Sequence, residues 1–279
     1  MERTLKRYFP IFALPTLIAF AIAFFVPFVL GIYLSFTDFT TVVDAKWVGL
    51  ENYIRIFSDK EFLNALWFTT RFTVVSVLMI NILAFILAIL LTRGMFGTNI
   101  FRTIFFMPNL IGGIVLGYIW QLIINGVLLK FGVTLTFSAK YGFWGLVVLM
   151  NWQLIGYMMV IYIAGIQSIP KELVEAANID GANHFQILKN VTIPLVMPSI
   201  TICLFLTLSN SFKLFDQNLA LTAGAPSKQT TMLALDIYNT FYAKLLEGTG
   251  QAKAVIFFIL VGLISLVQLL ITRGREIEG

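Results

Sequence analysis

The chain alternates between long uncharged stretches and shorter segments that hold its acids and bases. Six stretches lack Asp, Glu, Lys and Arg over 19 residues or more, whereas the next longest has 11 residues. A helix needs roughly 20 mostly apolar residues to cross the hydrocarbon core of a membrane. The pattern therefore predicts an all-α membrane protein, a single transmembrane domain over residues 1–279. Its six transmembrane helices are expected at about residues 9–36, 72–92, 103–129, 141–166, 196–215 and 254–272.

The first stretch follows a basic start, which is also typical of a cleaved signal peptide. The apolar region of a signal peptide is about 7–15 residues long. Residues 9–36 form a stretch nearly twice as long as that region. We therefore expect an uncleaved membrane anchor rather than a signal peptide.

Composition narrows the class of protein further. Hydrophobic residues make up 59% of the chain and charged residues 12%, against about 25% charged residues in soluble domains. Cys203 is the only cysteine, so no internal disulfide can form. The chain has no metal-ligand spacing of Cys, His and carboxylates, no P-loop, no nucleophile elbow and no His-based triad. We therefore do not expect the chain to bind ATP through a P-loop.

The net charge of +5 comes from basic residues scattered among loops and termini. This distribution is typical of membrane flanks, so no nucleic-acid partner is expected. Six spans place both termini on one side, and short basic flanks favour the cytoplasm. Segments on the opposite side carry about as many bases but are longer and more acidic. We predict an N-in, C-in topology from the flanking residues Arg3, Lys6, Arg7, Arg93, Arg102, Arg273 and Arg275.

Neutral polar side chains recur inside the third, fourth and fifth predicted spans. A polar group in lipid is costly unless it is satisfied or faces a cavity. Amides, hydroxyls and aromatic rings suit a neutral polyhydroxylated ligand. Hydrogen bonding between helices and interfacial aromatic belts are the alternative interpretation for each residue. As a set, the residues predict a polar path across the membrane, with Asn109, Tyr118, Gln121, Asn151, Gln153, Tyr157, Asn210 and Ser211 as candidates.

Proline and small residues shape the third span. Pro108 should kink it, because proline lacks the backbone N–H. Gly113 and Gly117 have the spacing that lets helix backbones approach closely. We expect them to serve packing within the chain, with a subunit interface as the alternative.

A polar segment between the fourth and fifth spans, residues 168–194, is predicted to be cytoplasmic. Pro170 suits the first turn of a helix over "KELVEAANI". The Asp180-Gly181 pair should end that helix, because glycine readily takes a left-handed conformation. Asn183 and Gln186 have the spacing of a capping box that starts a second helix, "HFQILKNV", expected to end before Pro194. This helix–turn–helix is more than a connection requires, which favours a docking site over a surface linker.

The first loop on the other side, Thr37–Ala65, has apolar residues at helical spacing. They are Trp47, Leu50, Tyr53, Ile54 and Phe57, which suit a short amphipathic helix on the membrane surface. Two alternative roles remain for this helix: an interfacial anchor or a partner-docking surface.

The sequence "EAANIDGANHFQILKNVTIP" resembles the EAA loop of permease subunits of binding-protein-dependent ABC importers. Further matches, "YLSFTDF", "VGLENYIRIF", "FRTIFFMPNLIGGIVLGYIW", "IQSIPKEL" and "LTAGAPSKQT", resemble the MalF-like carbohydrate branch and cover nearly the whole chain. Two departures are small. Leu188 stands where an aromatic residue is common, and Ala225 replaces the second glycine of the usual Gly-Gly-Pro.

The resemblance implies a multi-pass, non-catalytic subunit of a bacterial cytoplasmic (inner) membrane, surrounded by membrane lipid and binding no cofactor itself. Its implied partners are a second homologous permease, two ATPase subunits that bind ATP and Mg, and an extracytoplasmic solute-binding protein. The EAA loop would couple to one ATPase through Glu175, Ala176, Ala177, Asp180, Gly181, Ala182 and Pro194. The family's solute contacts map by position to spans three to five, which adds Gly113 to the candidate path.

Several functions remain open on the sequence. The leading hypothesis is a permease subunit for a sugar or oligosaccharide. Glycerol phosphate or another polyol is the first alternative, although a phosphate would favour cations in the path and only Lys213 is near. An ion-coupled secondary carrier is disfavoured, because the six stretches hold no ionisable acid or base. A membrane scaffold would not need a polar path.

Overall fold

The computed structural model describes residues 2–94 and 96–274, with the side chains of residues 2–8, 10 and 12 left outside the description. The basic residues Arg3, Lys6, Arg7 and Arg275, used above to orient the chain, therefore lie outside the described side chains. The described chain is almost entirely helical. Its only strands there are β1 (Thr37–Asp38) and β2 (Lys46–Trp47), which pair antiparallel with Thr37 opposite Trp47.

Fourteen α-helices follow one another along the described chain, with short 3-10 and π-helical turns between some of them. In the first part they are α1 (Glu2–Phe20), α2 (Val26–Leu34), α3 (Glu51–Ser58), α4 (Lys60–Thr92), α5 (Thr98–Phe106), α6 (Gly113–Leu128) and α7 (Ala139–Gln167). The second part has α8 (Lys171–Ile179), α9 (His184–Ile187), α10 (Ile193–Leu195), α11 (Met197–Phe212), α12 (Asp216–Leu221), α13 (Leu233–Tyr238) and α14 (Glu247–Arg273). The π-helical turns are Ala21–Phe25, Leu188–Thr192 and Asn239–Ala243, and the 3-10 turns are Val42–Asp44, Met107–Leu110 and Leu129–Phe131.

Five described helices are long and apolar enough to cross a membrane, and a sixth appears when one bent pair is counted as a single span. The five are Ala13–Leu34, Lys60–Thr92, Gly113–Phe131, Ala139–Gln167 and Glu247–Arg273. The bent pair joins His184–Leu195 to Met197–Phe212 at an angle of 70°. The bounds differ from those expected on the sequence, but the six-span count stays a prediction.

The expected continuous span over residues 103–129 is wrong. The structure divides it into α5, the 3-10 turn Met107–Leu110 and α6. Pro108 lies in the first turn of the 3-10 segment, and the backbone of Gly112 is extended, with φ −60° and ψ 138°. Proline cannot donate the hydrogen bond that a continuing helix needs, so the apolar stretch is interrupted rather than merely kinked.

The chain forms two compact units. The first contains residues up to 60 together with 237–259. In it the fully buried Lys253 places its Nζ 2.8 Å from Asp59 Oδ2 and 2.9 Å from Thr240 Oγ1. The side chain of Asn52 donates to the carbonyl oxygens of Ser35 and Thr37. These buried bonds attach α3 to the rest of the unit. The short helix predicted in this loop is confirmed, since α3 spans Glu51–Ser58.

The second unit contains residues 61–236 with those from 260 onward. Its buried core runs along α4, α7 and α11. A polar chain crosses this core, because Tyr162 Oη donates to Asn81 Oδ1 at 2.6 Å and Asn81 Nδ2 donates to Thr207 Oγ1 at 2.9 Å. Polar groups excluded from water must find partners, so these bonds fix how the three helices face one another.

Candidate functional site

The loop between α7 and α11 contains α8 and α9, followed by a π-helical turn and the three-residue α10. Pro170 precedes α8, which spans the predicted "KELVEAANI" segment. Proline is suited to a helix start because the first N–H groups of a helix have no intrahelical partner. We call residues 168–194 the EAA loop.

A glycine turn ends α8 at the expected position. Gly181 has φ +78°, and a Cβ added there would meet nothing within 4 Å. The amide of Ala182 donates to the carbonyl of Ala177 at 3.0 Å, and the amide of Gly181 donates to that of Asn178 at 3.1 Å. This pair of bonds is a Schellman motif, in which the residue after the helix adopts a left-handed conformation. The predicted break at Asp180-Gly181 is confirmed.

The second helix starts with the predicted capping box. The Asn183 amide donates to Gln186 Oε1 at 2.8 Å, and the Gln186 amide donates to Asn183 Oδ1 at 2.9 Å. The expectation that this helix ends before Pro194 is wrong. A π-helical turn carries the helix from Leu188 to Thr192, and Pro194 follows within α10.

Much of the EAA loop surface is exposed. Glu175 and Ala176 are exposed, while Ala177 and Ala182 are half-buried. Two large apolar side chains flank the turn in the open: Ile179 is 86% exposed and Phe185 is 72% exposed. Glu175 forms no ion pair with any described residue. Such an arrangement of exposed apolar, small and acidic groups suits contact with another protein.

A polar cavity of about 180 Å³ lies among the second unit's helices. It brings together three predicted path residues, Asn109, Gln153 and Asn210. Gln217 Nε2 donates to Gln153 Oε1 at 2.8 Å across the lining. The remaining lining residues are Met150, Leu154, Lys213 and Leu214. Four amide side chains and one ammonium group in one concave site can donate to and accept from the hydroxyls of a small polar solute.

The other path candidates lie outside the lining of this cavity. Tyr118 is 56% exposed. The side chain of Gln121 donates to the Leu221 carbonyl at 3.0 Å, and that of Asn151 is buried and donates to the Val147 carbonyl at 2.8 Å. The half-buried ring of Tyr157 lies edge-on to Phe106, with 6.2 Å between centroids. Ser211 is fully buried and donates to the Thr207 carbonyl at 2.7 Å.

Gly113 and Gly117 permit the close approach of α6 to α12. A Cβ on Gly113 would lie 2.7 Å from Cβ of Asp216, and one on Gly117 would lie 2.6 Å from Cβ of Ala220. The predicted use of these glycines for packing within the chain is confirmed. Gln217 was not predicted as a path residue, because α12 lies outside every predicted span. The close packing at the two glycines brings α12 to the cavity.

Several apolar helices, an exposed helix–turn–helix loop and a polar cavity are the features of a polytopic membrane permease. The chain belongs to the family described as binding-protein-dependent transport system inner membrane component, whose model matches residues 80–276. It is therefore a multi-pass inner-membrane protein and a permease subunit of the ABC importer class.

Similar proteins extend over nearly the whole chain. The probable starch degradation products transport system permease protein AmyD of Thermoanaerobacterium thermosulfurigenes is 47% identical over 96% of this chain and 94% of its own. The multiple sugar-binding transport system permease protein MsmF of Streptococcus mutans is 30% identical over 99% of both chains. A chain in the crystal structure of a bacterial ABC transporter that imports the acidic polysaccharide alginate superposes with a TM-score of 0.82, at 20% identity, over 97% of both chains. At 20% identity, this structural similarity shows a shared fold.

Proposed function

We propose that this chain is the permease subunit of an ATP-driven importer of a sugar or oligosaccharide. The observation that carries the proposal is the EAA loop, an exposed helix–turn–helix whose turn and cap are fixed by its own sequence. In this proposal the chain pairs with a second homologous permease, two ATPase subunits act on the cytoplasmic side, and an extracytoplasmic solute-binding protein delivers the solute.

The EAA loop transmits movement of the ATPase to the membrane helices. Glu175 pairs with a basic group of the ATPase, and Ala176 and Ala177 allow close approach. Asp180, Gly181 and Ala182 form the turn that sets the angle between α8 and α9. Pro194 begins α10, at the far end of the loop, where the bent pair of helices leads into α11. A rigid loop suits this role, because a push at one end is passed on only if the element does not yield.

The polar cavity is the proposed contact region for the solute. Its amide-rich lining suits sugar hydroxyls, and the similarity to the starch-degradation-product permease AmyD and the multiple-sugar permease MsmF supports a carbohydrate. Lys213 is the one cationic side chain in the lining, which keeps glycerol phosphate or another polyol as the second candidate. Gly113, Tyr118, Gln121, Asn151, Tyr157 and Ser211 shape or support the path around the cavity.

The proposed topology has six spans in one transmembrane domain, with both termini and the EAA loop in the cytoplasm. The bent helix pair supplies the sixth span. The chain carries no catalytic step, and ATP and Mg are bound by the ATPase subunits. The sequence has no phosphate-binding loop, which supports this division of labour.

Purification of the chain with its companion subunits tests the proposal. We expect an ATPase and a second permease to co-purify, and maltodextrins presented with the solute-binding protein to stimulate ATP hydrolysis. Glycerol phosphate serves as the competing solute. Isolation of a chain without an ATPase that transports solute on an ion gradient would refute the proposal.

A further inference from the structure

A second cavity, of about 510 Å³, lies behind the EAA loop and is separate from the polar cavity. Its walls come from the end of α4, the end of α7 and both helices of the loop. Its volume falls within the range of roughly 300–1,000 Å³ that is usual for small-molecule sites. No part of the proposed transport path uses it.

Most of the wall is apolar. Ile89, Ile166, Val174 and Leu188 line it, and each is half-buried. Such a surface is matched by an acyl chain, because burying methylene groups away from water is favourable. The wall alone would also accept other apolar groups, so the polar residues decide the class of ligand.

Two basic side chains line the cavity and are open to solvent. Arg93 and His184, the only histidine in the sequence, are both exposed and both line the cavity. Among the residues that the structure describes, no side chain or carbonyl bonds to the guanidinium of Arg93 or to the ring of His184. An Arg guanidinium offers a fork of N–H donors that matches a phosphate, and an imidazole N–H adds a further donor.

The position of the cavity favours a ligand from the membrane. The apolar helix Lys60–Thr92 ends one residue before Arg93, and Ala139–Gln167 ends one residue after Ile166. The polar mouth therefore lies where two membrane-crossing helices meet the surface. Basic pockets between such helices bind anionic lipid headgroups.

We propose that this cavity binds one anionic phospholipid, with its phosphate at Arg93 and His184 and the start of an acyl chain against Ile89, Ile166 and Leu188. Neutral lipid of the same chain length fits the apolar wall but lacks the net negative charge that Arg93 attracts. A bound lipid bridges α4 and α7 to α9. It thereby holds the EAA loop against the ends of the membrane helices. The importance of this support for transport rests on the proposed function, whereas the lipid binding itself does not.

Native mass spectrometry of the full chain, purified with its companion subunits, tests the binding. The probes are dioleoylphosphatidylglycerol, dioleoylphosphatidylcholine and inorganic phosphate, each at the same concentration. The wild type should retain the phosphatidylglycerol and much less of the phosphatidylcholine. One basic residue near the surface contributes about 1 kcal/mol, so Arg93→Gln should lower the retained phosphatidylglycerol about fivefold.

Matched variants make the outcome decisive. Lys171→Gln removes a charge from an exposed residue of the same loop that does not line the cavity, and it should bind as the wild type does. Arg93→Lys should keep most of the binding. If Arg93→Gln fails to assemble, His184→Gln, a surface change, takes its place with a smaller expected loss.

Three results would overturn the proposal. Equal retention of phosphatidylcholine would remove the charge selection. Unchanged binding by the combined Arg93→Gln and His184→Gln variant would place the lipid elsewhere. Displacement of phosphatidylglycerol by inorganic phosphate would make the site a phosphate site without a lipid.

Discussion

Asn183 and Gln186 cap each other: each side chain accepts the other residue's backbone amide, at 2.9 Å and 2.8 Å. This reciprocal pair starts the second helix of the EAA loop three residues after Asp180, where the first helix ends. The loop thus owes its bent shape to local bonds within a few residues. Its exposed face is therefore preformed before any partner binds.

Replacing Asn183 by Ala should loosen the second helix, because an N-cap side chain contributes about 1 kcal/mol. We expect faster hydrogen exchange at the Gln186 amide. Asn178→Ala is the matched control, since the Asn178 side chain bonds only to the Val174 carbonyl. Exchange that is no faster in Asn183→Ala than in Asn178→Ala would contradict the capping role.

Gly181→Val should weaken docking of the ATPase. The left-handed backbone at φ +78° costs a residue with a Cβ about 1–2 kcal/mol. Gly132 has φ +72° and is equally open around its Cβ direction, but it lies outside the loop. Co-purification of the ATPase should fall in Gly181→Val and stay normal in Gly132→Val. A loss in both variants would mean that general instability, and not the shape of the loop, is responsible.

Gly156→Ala should destabilise the chain strongly. A Cβ at Gly156 would collide with the Phe105 carbonyl, because α5 packs directly on α7 there. Overpacking typically costs about 1–3 kcal/mol. Gly126→Ala is the control, since its Cβ would meet nothing within 4 Å in α6. Thermal unfolding in detergent should show a lower Tm for Gly156→Ala alone, and equal Tm values would show that the helices can move apart freely.

Gln153→Ala and Asn210→Ala should reduce uptake of the solute while leaving assembly intact. Both side chains line the polar cavity, and each solute hydrogen bond lost costs about 0.5–1.5 kcal/mol. Thr70→Ala provides the comparison, because Thr70 does not line the cavity and its hydroxyl donates to the Leu66 carbonyl within α4. Uptake in proteoliposomes should fall several-fold for the first two variants only. A larger fall in uptake for the comparison variant than for these two variants would place the solute path away from this cavity.

Local sequence signals predicted the EAA loop well and the membrane helices less well. The turn at Gly181 and the capping box depend on residues a few positions apart, so the sequence contains their cause. The break at residues 107–112 was expected only as a kink, because an apolar run does not show whether other contacts can satisfy a broken backbone. The continuation through Pro194 likewise depends on a π-helical turn that has no clear sequence signal.

The candidate path was likewise predicted only in part. Asn109, Gln153 and Asn210 were predicted as members of one polar set, and the structure brings all three to one cavity. Tyr118, Asn151 and Ser211 have the same chemistry but lie elsewhere, because residue type does not reveal which way a helix faces. Gln217 reaches the cavity only through the close packing of α6 and α12, which is a tertiary contact.

The most direct test is solute-stimulated ATP hydrolysis by the reconstituted transporter carrying Glu175→Ala. A hydrogen bond to a charged group contributes about 1.5–3 kcal/mol, so stimulated hydrolysis should fall about tenfold or more. Glu172→Ala, an exposed acid one turn earlier in α8, should hydrolyse ATP as the wild type does. Full stimulation in Glu175→Ala, with the ATPase still bound, would contradict the claim that the EAA loop couples ATP hydrolysis to transport through this residue.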